Sequence, residues 1–424
     1  MLRKLLKEKI RQYYIGHDQQ FIFKQAHHIQ LPRIKEIDLY VHIPFCKNMC
    51  PYCPYNKIKY DKKLVKPFLD GILSEIEQYS TILGKINVPS IYIGGGTPTN
   101  IIDELGIIIN HITDKFKVTG DIAIETNPND VNETVANKLK EYDVSLVSLG
   151  IQSFNDKNLK LIGRNYKANI LKPAMDLLLK YDFKTLNVDL MFALPGQSNE
   201  DVLSDIKKAI DLGANQITTY PLFTFPYSKA GEYMKLKKVK MPNLINRRKM
   251  YKTIYDYCLN QGFERISVWG FKKGHTPRFS SVTRDQYIGF GPGAGTYVGD
   301  GFYFNTFSVR DYIDKCLNNK FPIALKLEVT EKLSKYYWLY WRFYDTYVPK
   351  KQLWEIFDKN DKKLKRSLTL TKVLKMYEED ENFLTLTERG CFWIHLAQNY
   401  FVLNYINKVW YIAMNDPWPK EIKI

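Results

Sequence analysis

Short apolar runs and longer stretches of helical spacing take turns along this chain. Asp38-Leu39-Tyr40-Val41-His42-Ile43 is rich in β-formers and stops at Pro44, which cannot donate to a ladder. Residues 62–83 then repeat their apolar positions at helical intervals. Ser90-Ile91-Tyr92-Ile93 is a short strand running into glycines, 104–116 is helical, and Asp121-Ile122-Ala123-Ile124-Glu125 is a strand. The alternation continues through strands at 144–149, 185–190 and 216–220, with helices near 131–141, 169–181 and 199–212 between them. Six strands separated by helices predict a parallel sheet, open or partly closed into a barrel. Its chemistry is expected at the C-terminal strand ends.

The flanks read differently. Residues 1–36 look like a helical lead and a polar segment. After Tyr220 the texture turns to loops rich in Pro, Phe and Gly (221–231 and 270–301) around a helix near 243–261, which reads as a lid or substrate wall. From about Val329 come helices at 331–344, 351–357 and 361–377, a strand at Phe383-Leu384-Thr385-Leu386 and a further helix, in the order of a small winged-helix-like module. The expected division is an N-terminal helical extension (1–36), a core with its substrate-closing segment (37–300), a connector (301–328) and a C-terminal helical module (329–424).

Hydrophobic residues make up 45% and charged residues 25%, a globular balance in a chain long enough to bury a full core. With 30 Tyr and 23 Phe there is ample material for flat, apolar-walled pockets. The formal charge of +17 invites a nucleic-acid reading, but the lysines are interspersed with acids along helices, the pattern of a solvated surface. No apolar run approaches the roughly 20 residues that cross a bilayer. The basic start also lacks the apolar core of a secretory leader. A cytoplasmic monomer without membrane partners is expected.

Cys46-Lys47-Asn48-Met49-Cys50-Pro51-Tyr52-Cys53 concentrates three of the six cysteines in the loop after the first strand. Thiolates ligate iron–sulfur clusters, and this spacing lets one loop wrap several irons of one cube. Three ligands for four irons leave one iron open to a bound molecule. A zinc site completed by His42, or a redox thiol pair, also fits three cysteines alone. Gly94-Gly95-Gly96-Thr97 follows the second strand, and glycines there let backbone come close to a ligand.

These runs, with Glu125-Thr126-Asn127-Pro128, Leu149-Gly150-Ile151-Gln152-Ser153-Phe154, Gly163-Arg164, Asp189-Leu190-Met191-Phe192 and the glycine-rich Tyr287 to Thr296 stretch, resemble in order the radical S-adenosylmethionine (SAM) enzymes related to oxygen-independent coproporphyrinogen III oxidase, the HemN/HemW family. The resemblance covers residues 38–300 well and the C-terminal module weakly. It implies a partial (β/α)6 TIM-like barrel of the radical SAM type with a smaller, mainly helical C-terminal module. It also implies a 4Fe-4S cluster on Cys46, Cys50 and Cys53, whose open iron binds SAM for reductive cleavage to a radical. Tyr40 would lie against SAM, and Gly95, Gly96 and Thr97 would contact its amino group and methionine portion. Glu125, Gln152, Arg164 and Asp189 would bind its polar groups, Asp189 the ribose hydroxyls. Read singly, Glu125 could instead pair with Arg164, and Asp189 could cap a helix.

Two positions depart from the family. Coproporphyrinogen oxidases are expected to carry a fourth cysteine where this chain has Tyr55, and heme chaperones an H-N-x-x-Y-W motif where it has Ser281-Val282-Thr283-Arg284-Asp285-Gln286-Tyr287. The resemblance thus implies a tetrapyrrole-like substrate, acted on by decarboxylation or by radical methyl transfer with a second SAM, and a reductase, flavodoxin or ferredoxin as electron donor. A non-catalytic heme chaperone and an RNA- or protein-modifying enzyme are the alternative functions.

Overall fold

Runs too apolar to face water on either side make the centre of this fold. The computed structural model describes residues 21–223, 228, 240–282 and 285–424, the side chains of 400–404 and 406 excepted. Its principal strands are β1 (Ile22–Gln25), β2 (Asp38–Ile43), β3 (Ile91–Gly95), β4 (Ile122–Thr126), β5 (Val144–Gln152), β6 (Thr185–Phe192), β7 (Gln216–Pro221), β8 (Phe263–Arg265), β9 (Gly270–Lys273), β10 (Tyr287–Phe290), β11 (Gly295–Val298), β12 (Gly301–Asn305) and β13 (Ile323–Glu328). The C-terminal region adds β14 (Tyr347–Pro349), β15 (Tyr377–Glu379), β16 (Phe383–Leu386) and β17 (Glu421–Lys423).

Strands β2 to β7 lie side by side in sequence order and all pair in parallel. Val41, Ile93, Ile124, Leu149 and Val188 are buried completely, as a parallel sheet covered on both faces requires. The crossovers are helices α1 (Lys62–Leu83), α2 (Ile102–Lys115), α3 (Glu133–Glu141), α4 (Leu171–Lys180) and α5 (Asn199–Asp211). Local chemistry starts them where the pattern predicted: Asp61 accepts from the Lys63 N–H, and Ser198 forms a reciprocal capping box with Asp201. This is the partial α/β barrel expected from the alternation.

Beyond β2 the sheet continues through β10, which is parallel to it, and then through β11, β12, β13, β1 and β17, each antiparallel to its neighbour. Beyond β7 it continues through β9 and β8. Residues 22–25, expected within a helical extension, are therefore a strand, with Phe23 buried and Lys24 exposed on opposite faces. Residues 1–20 of the expected 1–36 helical extension, part of the 221–231 loop, and Thr283 and Arg284 lie outside the described residues. The 301–328 stretch read as a connector carries β12, β13 and helix α7 (Val309–Leu317) between them.

Helices α6 (Leu244–Asn260), α8 (Glu331–Tyr344), α9 (Lys350–Ile356), α10 (Lys362–Val373) and α11 (Glu388–Asn415) complete the chain. With β14, β16 and β15 as a three-stranded antiparallel sheet, α8, α9 and α10 form the winged-helix-like module, and α11 packs on α8 and α6. No helix among the described residues is long and apolar enough to cross a membrane.

Candidate active site

All six parallel strands deliver residues from their C-terminal ends to one cavity of about 1420 Å³. The cysteine loop follows β2 and enters it with Cys46, Cys50 and Cys53. Cys46 is buried, and burial pushes its thiol up to about 12, a shift that coordination to a metal would reverse. The loop is tied down by its own backbone: the Cys53 N–H donates to the Cys50 carbonyl (3.3 Å), and Lys57 Nζ donates to the Cys53 carbonyl (2.6 Å). Among the described residues no three Cys, His, Asp or Glu side chains converge as a ready single-ion site. A cluster asks for a different arrangement, one thiol per iron.

His42 is not available as a fourth ligand. Tyr40 Oη lies 2.7 Å from its Nδ1, and its Nε2 lies 2.8 Å from the Asn56 carbonyl. A tyrosine donating to Nδ1 and Nε2–H donating to the carbonyl account for both nitrogens, and burial lowers the ring to about 4, so it stays neutral. Asn56 extends the chain of bonds, its Nδ2 donating to the Pro292 carbonyl (3.0 Å) and the Phe307 carbonyl (2.9 Å). The cysteine loop is thereby fastened to the glycine-rich loop. An Asn56→Leu variant strands two buried carbonyls and should cost roughly 2–4 kcal/mol; a thermal melt and the iron retained after reconstitution both read the loss.

Glycine is required at the tip of β3. A Cβ on Gly95, whose φ is +116°, would stand 2.8 Å from the His42 ring, and one on Gly96 would stand 2.6 Å from the Phe45 carbonyl. The close approach is to the cysteine strand: the Gly96 N–H donates to Ile43 (2.7 Å) and the Thr97 N–H to Phe45 (2.8 Å). The expected ligand contacts at Gly95, Gly96 and Thr97 therefore cannot use the Gly96 and Thr97 N–H groups. Acceptor oxygens remain, the right sign for an ammonium.

Glu125, at the end of β4, accepts from Tyr92 Oη and the Gly95 N–H. Asp189, on β6, accepts from Ser148 Oγ (2.9 Å) and Asn187 Nδ2 (3.0 Å). Neither makes an ion pair among the described residues, so the Glu125–Arg164 pair and the helix-capping role for Asp189 both fail. Burial raises Glu125 to about 7, helped by the charge of Asp189, and burial raises Asp189 to about 6. The charge of Arg164 offsets part of the rise at Asp189, and two partly buried acids that make no ion pair among the described residues suit an incoming positive or hydroxyl-bearing ligand.

Gln152 and Arg164 complete the ring. A register shift between β5 and β6 beside Asp189 re-aims the end of β5, and Gln152 there has a left-handed φ of 73° with its amide oxygen accepting from Tyr220 Oη. Arg164 donates to the Gly150 carbonyl (3.2 Å) and lies over Tyr52 and Tyr166, while its Nε is buried with no partner. That leaves a guanidinium donor for a carboxylate. The donor set thus fits the expected groups: thiols for iron, an orphaned Arg donor for a carboxylate, and unpaired acids for an amine and ribose.

The sequence pattern did not mark the opposite wall. Helix α8 lines the cavity with Tyr336, Tyr337, Tyr340, Trp341 and Tyr344, and α11 lines it with His395, Gln398, Tyr405 and Trp410. His395 Nε2 accepts from Trp269 Nε1 (2.8 Å) and its Nδ1 lies 3.3 Å from Gln398 Oε1, which couples α11 to the barrel. Tyr92, Ser148, Asn187 and Tyr220 were also missed as supports; the first three sit on the same strand as the residue they bond or on the adjacent one, whereas Tyr220 on β7 reaches Gln152 on β5 across β6, which no local signal marks.

Residues 40–209 match the family model described as the radical SAM superfamily. The chain is 30% identical over 298 residues to the heme chaperone HemW of Bacillus subtilis, covering 69% of this chain and 79% of that protein. It is 24% identical over 307 residues to the anaerobilin synthase of Escherichia coli O157:H7, covering 70% and 69%. The solved structure of coproporphyrinogen III oxidase (HemN) from Escherichia coli superposes with a TM-score of 0.74 over 96% of this chain and 98% of that one, at 18% identity, a likeness of fold.

Proposed function

The chain belongs to the HemN/HemW-like family of radical SAM proteins, and from that premise we propose that it holds a 4Fe-4S cluster on Cys46, Cys50 and Cys53, binds SAM beside it and acts on a tetrapyrrole-like substrate. When bound, the cluster supplies one electron that breaks a carbon–sulfur bond of SAM and so gives a carbon radical. The protein's own residues bind, orient and exclude water. Glu125 and the carbonyl tip of β3 suit the amino group, Arg164 the carboxylate, and Asp189, held by Ser148 and Asn187, the ribose hydroxyls.

One observation carries the reading: every residue expected at the cluster and at SAM lines the same cavity, and the rest of its wall is largely aromatic. At about 1420 Å³ it exceeds the roughly 300–1,000 Å³ of a single small-molecule site, which leaves room for a flat conjugated substrate beside the cofactor. A ferredoxin, flavodoxin or reductase would supply the electron. Oxidative decarboxylation removes carbon dioxide and radical methyl transfer adds a methyl group, so the mass of the product separates them.

A non-catalytic heme carrier is the second reading, favoured by the similarity to HemW. Among the described residues the histidines that line the cavity, His42 and His395, have both ring nitrogens engaged, which supports catalysis over coordination of heme iron. Reconstituted anaerobically with iron and sulfide, reduced and given SAM, the protein is expected to release 5'-deoxyadenosine, and Cys50→Ala to release none. A Cys50→Ala protein as active as the parent sinks the cluster assignment. A stoichiometric heme complex without 5'-deoxyadenosine release would favour the carrier.

A further inference from the structure

Tyr55 stands two positions past Cys53, on the cysteine loop, and its side chain lines the cavity with 53% of its surface accessible. Glu125, Cys53, Tyr344 and Asp189 all lie within electrostatic reach of the phenol. Its hydroxyl has no hydrogen-bond partner among the described residues. Its ring meets Trp410 of α11, with centroids 5.8 Å apart and planes at 51°. Trp410 packs in turn on Phe307 (6.1 Å), and its indole N–H is buried without an acceptor. The two rings make an aromatic corner that joins the cysteine loop to the C-terminal helix.

The charges around the cavity give this corner its chemistry. Three cations line it among the described residues: Lys57, Arg164 and Arg278. Lys57 Nζ is spent on the Cys53 and Tyr55 carbonyls, Arg278 pairs with Asp345, and Arg164 faces the SAM carboxylate in the reading above. Among the described residues an acidic group on the substrate would therefore be met by neutral donors, and the Tyr55 phenol is one that none of them engages. Hydrogen bonds from neutral donors to a carboxylate are charge-assisted, and an apolar setting strengthens them.

We infer that Tyr55 and Trp410 form the substrate-reading corner of the cavity: the rings lie against the edge of a planar conjugated molecule while the Tyr55 hydroxyl donates to a carboxylate it carries. The inference rests on the tetrapyrrole reading and deepens it, because it names the side chains that read the substrate and the chemical group they read. It also gives α11 a role, since Trp410 is half of the corner.

The test is a titration of the full-length protein with protoporphyrin IX and with its dimethyl ester, followed by visible absorbance and tryptophan emission, without cluster or turnover. The parent protein is expected to bind the diacid about tenfold more tightly than the diester, the worth of one good hydrogen bond. Tyr55→Phe, which removes one oxygen, should erase that preference and leave diester binding unchanged. Trp410→Leu should weaken both porphyrins alike, and Trp410→Phe, which keeps a ring and guards against misfolding, should restore them. A Tyr55→Phe protein that keeps the preference for the diacid overturns the corner while leaving the tetrapyrrole reading intact. Binding of neither porphyrin by the parent overturns the reading itself, and the corner with it.

Discussion

SAM should bind about tenfold or more tightly at about pH 8 than at about pH 5.5, and Glu125→Gln should flatten most of that slope while lowering affinity throughout. Burial lifts Glu125 from 4.5 to about 7, with the nearby Asp189 charge adding to it, and burial lifts Asp189 from 3.8 to about 6. For both acids the folded pKa lies above the unfolded one. Their contribution to stability is therefore complete below the unfolded values and is lost as pH rises through about 6 to 7. Above that window the empty site holds two like charges in a low-dielectric space, and a ligand bearing an ammonium and a sulfonium relieves them. SAM should accordingly raise the melting temperature more at high pH than at low pH. Calorimetry near pH 6 in buffers of different ionisation enthalpy should show protons released on binding. A dissociation constant that does not move with pH, in parent and Glu125→Gln alike, would show that these carboxylates do not face the cation.

Much of this site is local in sequence, and for that reason legible. A parallel strand ends, the chain turns toward the next helix, and the turn carries the chemistry, so Cys46, Gly95, Glu125, Gln152 and Asp189 could be assigned to one rim before any coordinates. What escaped was set by pairings across the chain. Three residues of β1 pair with the three of β17 although nearly the whole sequence separates them, and strands so short carry no periodicity of their own. The aromatic wall escaped for another reason. Helix α8 reads Tyr336-Tyr337-Trp338-Leu339-Tyr340-Trp341-Arg342-Phe343-Tyr344, with aromatic residues on every side, so periodicity cannot say which of them pack and which border a cavity.

The same limit applied to the glycines of β3. Their spacing pointed to close backbone approach, and the approach occurs, but toward Ile43 and Phe45 of the cysteine strand. Holding the cysteine loop against β3 is thus part of what the motif does, and ligand contact is what its remaining oxygens can add. The bond from Tyr40 to His42 and on to Asn56 works in the same direction, joining the residue expected against SAM to the loop that carries Cys53. The geometry of the cluster loop therefore depends on groups that never touch iron.

Replacing Glu75 with leucine should cost roughly 3–6 kcal/mol, because it strands buried donors that the parent satisfies. Glu75 lies on α1, fully buried, and accepts from the Gly291 N–H (2.9 Å), Asn305 Nδ2 (2.7 Å) and Tyr312 Oη. Three donors from the glycine-rich loop, from β12 and from α7 thus converge on one carboxylate. The Tyr312 hydroxyl can rotate away; the other two donors cannot easily. Glu75→Gln, with one acceptor oxygen and an added N–H2, should lose about 1–3 kcal/mol. Burial lifts the carboxyl to about 7 against the opposing pull of those donors, so its contribution also falls as pH rises from about 4.5 to about 7. Here SAM offers no relief, because Glu75 does not line the cavity. Urea melts of Glu75→Gln and parent at several pH values should therefore differ in slope by the same amount with and without SAM. A difference that SAM removes would place Glu75 in the ligand's field. A Glu75→Leu protein as stable as the parent would mean that this carboxylate does not hold the glycine-rich loop to α1.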